Sequence, residues 1–170
     1  MIGFVLLVWN TVFDSWKVFT AVAIAFIVGM GVEILGVSTG KIFGIYAYGD
    51  NLGPKVLGVP YIIGIYWVVL VIITSFIGRK LADSWLVVSF VGAALMVFLD
   101  LFIEQMAPRF DFWEFESHPV PIDNYVAWFV IAFFLHICIK FLVSESSPRY
   151  SLHLYLSQIV FFVGSLLILR

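Results

Sequence analysis

The sequence predicts an all-α fold, a polytopic transmembrane bundle of five to six helices, and two observations carry that prediction. The first is composition. Of 170 residues, 63% are hydrophobic and 12% charged, and the mean hydropathy is +1.11. A soluble domain carries roughly 25% charged residues, and a water-soluble fold of this size could not hide so much apolar surface. The second is spacing: the apolar residues gather into runs near the ~20 residues that a spanning helix needs. The length fits one membrane domain, residues 1–170.

Composition also excludes several functions. A net charge of -2 predicts no nucleic-acid partner and no polybasic attraction to anionic lipid. The single cysteine, Cys138, excludes an intramolecular disulfide and a Cys-rich metal site, and its apolar run predicts a small core residue. Aromatics make up 18% of the chain, as 18 Phe, 7 Tyr and 6 Trp. Interfacial belts and bulk packing use many of them; the remainder fit a pocket for a long, flat, apolar ligand.

The elements follow in order. Residues 1–13 are apolar but short for a span, and without a positive leading segment they fit a cleavable signal poorly. They read as a tilted or incomplete first helix, with the natural chain extending further upstream. Val18 to Val37 is a span with Glu33 near its C-terminal end. Ser38 to Val59 is a glycine-rich connection, too irregular to cross lipid unless sheltered by protein. Tyr61 to Ile77 is opened by Pro60 and closed by Gly78-Arg79-Lys80. Ser84 to Ile103 ends near Asp100 and Glu104. Gln105 to Pro121 is a polar, aromatic loop. Asn124 to Val143 carries His136 and Lys140, Ser144 to Arg149 turns the chain, and Tyr150 to Leu169 is the last span.

Topology brings distant residues together. Consecutive spans alternate in direction, so the spans holding Glu33 and Asp100 run the same way and place their acids at similar depth. The loops 38–59 and 105–121 emerge on that same side. Three carboxyls and two loops therefore converge. The other side collects Lys17, Arg79, Lys80, Lys140 and Arg149 against Lys41, Lys55, Arg109 and Arg170. By the positive-inside rule this faces the acids away from the cytoplasm.

An intramembrane carboxyl costs about 2.5–3.5 kcal/mol or more and by default marks function. Asp100 and Glu104 stand at i, i+4 on one helix face. Two carboxyls sharing a low-dielectric site do not readily ionise together, and a carboxyl that keeps and recovers a proton is a general acid. Glu33 is the partner expected to orient water or take the proton back. The alternative, that the acids cap a helix, is weakened because acids at a helix C-terminus oppose its dipole. Asp111, Glu114, Glu116 and His118 add hard ligands of the kind Mg²⁺ takes, but clustered DDxxD motifs and a His-box array are missing. Glu114, Glu116 and His118 read as a solvated loop face. His136 and His153 read as structural, with Lys140 snorkelling. GVSTGK at 36–41 lacks P-loop glycine spacing, and Gly29 and Gly31 read as sites of close helix packing.

One pattern resembles a known family. Glu33-x-x-Gly36-Val37-x-Thr39-Gly40-x-x-Phe43-Gly44-x-Tyr46-x-Tyr48-Gly49, then Leu52-Gly53, Val59-Pro60 and Trp67, is similar to the first signature of the CruF-like carotenoid biosynthesis membrane proteins. Asp100-x-x-x-Glu104-x-x-Ala107, Asp111-Phe112-Trp113 and Pro121-x-x-Asn124-Tyr125-x-x-Trp128 resemble the second. The resemblance covers roughly residues 30–130. It implies a multi-pass protein of the cell membrane that acts on a carotenoid or other long isoprenoid, as a hydro-lyase of the carotenoid 1,2-hydratase type. Protonating the terminal alkene at C2 would leave a tertiary cation at C1 for water to capture. Asp100 or Glu104 would be the acid and Glu33 the water partner. Tyr46, Tyr48, Trp67, Trp113 and Trp128 would form the wall, and Asn124 would fix the water or the acid. The reaction requires no cofactor and no metal. Two alternatives stay open: a lycopene-cyclase-like isomerase, and a non-catalytic carotenoid-binding or transport protein.

Overall fold

The computed structural model describes residues 16–140 and 148–169. The apolar segment 1–13, the turn at 144–149 apart from the start of the last helix, and Arg170 lie outside the described residues. Five helices are each long and apolar enough to cross a membrane. They are α1 (Trp16–Thr39), α2 (Tyr61–Leu81), α3 (Trp85–Met106), α4 (Ile122–Ile139) and α5 (Pro148–Ile168). The protein is thus an all-α, multi-pass membrane bundle.

The central helix is α2. Every residue from Trp67 to Phe76 is buried, as expected for a helix that is apolar all round. Helices α1, α3 and α5 pack against it, and α4 packs mainly on α3. Gly29 fixes the α1–α2 approach, because a Cβ there would lie 2.6 Å from Trp67 Cβ. A Cβ at Gly31 would meet nothing within 4 Å among the described residues, so within them the expected packing role holds for Gly29 and not for Gly31. Two residues along a helix is about 200° of rotation, and both cannot face one neighbour. Cys138 is exposed rather than in the core; its neighbours His136 and Ile139 take the inward face of α4.

The two long loops contain short strands where the sequence pattern shows only irregular connections. They are β1 (Tyr46–Tyr48), β2 (Lys55–Val56), β3 (Val59–Pro60) and β4 (Trp113–Phe115). β2 and β3 form a small hairpin, and β1 pairs antiparallel with β4 across the loops, aligning Tyr46 with Phe115 and Tyr48 with Trp113. Backbone N–H and C=O groups need partners wherever water is excluded, and this pairing supplies them. Further ties join the same loops. Gly49 N–H donates to the Phe112 carbonyl at 2.9 Å, and Asn51 Nδ2 donates to the Phe110 carbonyl at 2.9 Å. Asp50 N–H donates to Asp111 Oδ2 at 2.9 Å. Asp111 sits in the left-handed region at φ 53, which Asp tolerates better than most residues. Its carboxyl would collide with any side chain at Gly49.

Candidate active site

Strand geometry explains how the loops close over the acids. Alternate residues of a strand point to opposite faces. Tyr46 and Tyr48 therefore point inward while Ala47 is exposed, and Trp113 and Phe115 point inward while Glu114 is exposed. The two inward tyrosines meet Glu33 on α1. Tyr46 Oη donates to Glu33 Oε2 at 2.6 Å, and Tyr48 Oη donates to the same oxygen at 2.7 Å. From α2, Trp67 Nε1 donates to Glu33 Oε1 at 3.0 Å. Three donors thus surround a side chain that is 3% exposed, an arrangement suited to the acceptor-only carboxylate. Burial, followed by the nearby Glu33 charge, pushes both the Tyr46 and the Tyr48 phenol well above the ordinary range. Both hydroxyls therefore stay donors across physiological pH.

The second acidic group is built differently. Asp100 and Glu104, one turn apart on α3, are both buried. Asn124, in the first turn of α4, bridges them: its Nδ2 donates to Asp100 Oδ2 at 3.1 Å and to Glu104 Oε1 at 3.2 Å. Trp113 Nε1 donates to Glu104 Oε2 at 2.9 Å. Asp100 Oδ1 is buried with no hydrogen-bond partner among the described residues. A buried polar atom left in this way is uncommon and costly, and at a carboxyl it marks a position ready for a proton, a water or a reacting group.

Glu33, Glu104, Asn124, Tyr46, Tyr48, Trp113 and Trp128 line one small chamber of about 20 Å³, enough for a single water molecule. Trp67 joins it through Glu33 and through its stack on Trp128, with ring centroids 4.4 Å apart. Asp100 joins it through Asn124. All nine residues singled out in the sequence come together here. Tyr66, Ile63, Phe43 and Phe115 also line the chamber and were not singled out. Phe115 had a readable signal, the period-two pattern with Trp113; Tyr66 had none beyond being a polar group inside an apolar run. A loop-side cavity of about 420 Å³ adjoins the chamber and shares Glu104, Trp113 and Phe115 with it.

The remaining polar candidates lie elsewhere. Glu114 and His118 are exposed and 3.7 Å apart, Glu116 is exposed, and Asp111 ties the loops together. His153 is exposed on α5. His136 is fully buried, donating from Nδ1 to the Ala132 carbonyl at 2.6 Å, with Nε2 2.9 Å from Thr74 Oγ1. Among the described residues no three His, Cys, Asp or Glu side chains form a metal-binding group.

Comparison with known sequences places this architecture. The family described as "Carotenoid biosynthesis protein" matches residues 1–169. The chain belongs to that carotenoid biosynthesis family. A curated relative, bisanhydrobacterioruberin hydratase of Haloarcula japonica, is 31% identical over 107 residues, which is 58% of this chain and 36% of the relative. The match thus spans about a third of that relative's length. No solved structure matches the chain. For a carotenoid biosynthesis protein, a buried chamber lined by carboxyls and aromatic rings is the feature that asks for a chemical explanation.

Proposed function

We propose that this protein is a carotenoid 1,2-hydratase of the cell membrane, adding water across the terminal C1=C2 bond of a ψ-end carotenoid. The observation that carries the reading is the contrast between the two acidic groups at one water-sized chamber, which Glu33 and Glu104 line and to which Asn124 ties Asp100. Glu33 is held by three donors, whereas the Asp100–Glu104 pair is bridged by one amide and leaves Asp100 Oδ1 free. The named activity of the Haloarcula japonica relative points the same way.

In this mechanism the Asp100–Glu104 pair supplies the proton. It moves from Asp100 Oδ1 to C2, the alkene electron pair forms the C2–H bond, and a tertiary cation is left at C1. The Glu33 carboxylate and the faces of Tyr48, Trp113 and Trp128 stabilise that cation; an aromatic face contributes about 2 kcal/mol or more when desolvated. Water attacks C1, and its released proton returns to the Asp100–Glu104 pair, so the protein ends as it began and the product gains one water. Asn124 holds the two carboxyls in register throughout. Tyr46, Tyr48 and Trp67 keep Glu33 in place without giving up their own protons.

The test is expression in a lycopene-producing bacterial host with mass analysis of the extracted pigment. The expected result is a gain of one or two waters, lost in Asp100→Asn. A pigment of unchanged mass with altered absorption would replace hydration by cyclisation or isomerisation. Untouched lycopene in cells holding folded protein would count against hydration of this substrate and favour binding or transport.

A further inference from the structure

A separate cavity of about 250 Å³ lies between α2 and α5 and shares Ile63, Tyr66 and Trp113 with the acid chamber. Apart from Tyr66, Trp113 and Gln158, every side chain lining it is hydrocarbon. Gln158 is the exception that needs a reason, because a glutamine in a spanning helix is costly unless its amide is satisfied. Its Oε1 accepts from Tyr66 Oη at 2.8 Å, and its Nε2 donates to the Leu154 carbonyl at 3.1 Å. Tyr66 has one hydroxyl proton, and this bond uses it, so the ring that walls both cavities is held at a fixed angle by a residue of α5.

We propose that this groove seats the end of the isoprenoid chain, and that the Tyr66–Gln158 pair is the threshold that sets how far the end reaches toward the Asp100–Glu104 pair. The assignment rests on the carotenoid reading above. The occupant follows from the lining and its continuity. A hydrocarbon groove that shares the walls Ile63, Tyr66 and Trp113 with a carboxyl-lined chamber suits an alkene-ended chain and offers nothing to a charged or sugar-like molecule. Its volume falls below the roughly 300–1,000 Å³ of sites that enclose a whole drug-sized ligand, so it takes the chain end and leaves the rest of a long polyene outside. Water has its own approach, because the loop-side cavity reaches Glu104 past different side chains, His118 and Tyr125 among them.

The experiment uses the full chain in a lycopene-producing host. It reads two quantities on detergent-purified protein: carotenoid (lycopene and its hydrated product) co-purified per folded protein, by absorption, and water gained by the pigment, by mass. Val69→Trp and Leu154→Trp fill the groove and are expected to lower both about tenfold or more. Val130→Trp, at a position 44% exposed on α4, should behave as wild type. Tyr66→Phe and Gln158→Leu break the same bond from either side and should reduce conversion alike, by about tenfold. Tyr155→Phe removes a comparable helix tie, the 2.8 Å bond to the Leu95 carbonyl, and should leave conversion per folded protein unchanged.

Groove-filled variants that bind and convert lycopene normally would overturn the groove. Tyr66→Phe and Gln158→Leu that match Tyr155→Phe in both readouts would overturn the threshold. Wild-type protein that carries lycopene without hydrating it, while the filled variants carry none, would sink the hydratase reading and uphold the groove. Wild-type protein that takes up neither lycopene nor a hydrated product would overturn the assignment for this substrate class.

Discussion

Two clusters of buried polar side chains lie in this bundle, and they are built on opposite principles. At the loop-covered end, Glu33, Asp100 and Glu104 draw donors from α2, α4 and both loops, and cavities adjoin Glu33 and Glu104. About two turns farther along α2, Thr74 and His136 form a closed pair. Both imidazole nitrogens are used, and Gly92 packs against the ring so tightly that a side chain there would collide with it. The Ser75 and Ser89 hydroxyls are also buried without partners among the described residues, but a neutral hydroxyl left unpaired costs far less than a carboxyl in the same position. The difference teaches that burial of a polar group does not by itself mark chemistry. A site needs unspent hydrogen-bonding capacity and space beside it, and the loop-covered end has both.

The strongest way to break this comparison is to neutralise the acids and to crowd the imidazole in turn. Asp100→Asn and Glu104→Gln keep shape and remove the proton carrier. They are expected to lower pigment hydration by at least about 100-fold, the lower end of what a general acid contributes, with detergent melting temperature little changed. Gly92→Ala should do the reverse: overpacking His136 costs about 1–3 kcal/mol of stability, while conversion per folded protein stays near wild type. Loss of specific activity in Gly92→Ala with an unchanged melting curve would remove the distinction between the clusters.

Much of the first cluster was legible because charge stands out against an apolar background. Glu33, Asp100, Glu104 and Asn124 are conspicuous in such runs, and alternation of span direction put the acids on one side. What stayed hidden depended on facing. In a soluble helix, polar residues reveal the outer face, but lipid accepts hydrocarbon on every face, so nothing in the sequence separated Gly29 from Gly31 or sent Cys138 outward. The β1–β4 pairing joins residues some 65 positions apart along the chain, beyond any local pattern, although the Tyr-x-Tyr and Trp-x-Phe alternations were there to be read. Tyr66 was missed because its importance comes from Gln158, on a helix that local spacing does not connect to it.

Within the loop-covered end, a smaller effect sharpens the contrast between holding a carboxylate and using a carboxyl. Trp67→Phe keeps a ring against Trp128 but removes one of three donors to Glu33. A hydrogen bond to a charged group contributes about 1.5–3 kcal/mol, so conversion should fall roughly 10- to 100-fold, less than in Asp100→Asn. Tyr48→Phe should match it, since each variant removes a single donor. A loss in either variant as complete as that in Asp100→Asn would move Glu33 from support to proton donor.

The smallest effect expected concerns an acid outside the chamber. Asp50 is exposed, and Lys55 lowers its pKa by a hydrogen bond and by charge at 2.8 Å. Lys55 Nζ also donates to the Tyr48 carbonyl at 2.9 Å, so the pair braces the strand that delivers Tyr48 to Glu33. A carboxyl whose folded pKa is depressed stabilises the fold above its unfolded value and loses that contribution as pH falls through the folded value. The brace should therefore be complete at pH 7, begin to weaken as the pH drops below the ordinary carboxyl value of ~4, and be gone only below the depressed folded value. Thermal melts of wild type and Lys55→Ala, compared at pH 7 and pH 3, test this directly. The difference between the two proteins should be small at pH 7, as exposed ion pairs are, and should shrink further at pH 3. A difference that stays the same on acidification would mean that Lys55 acts through the Tyr48 carbonyl alone, leaving Asp50 no part in holding the loop.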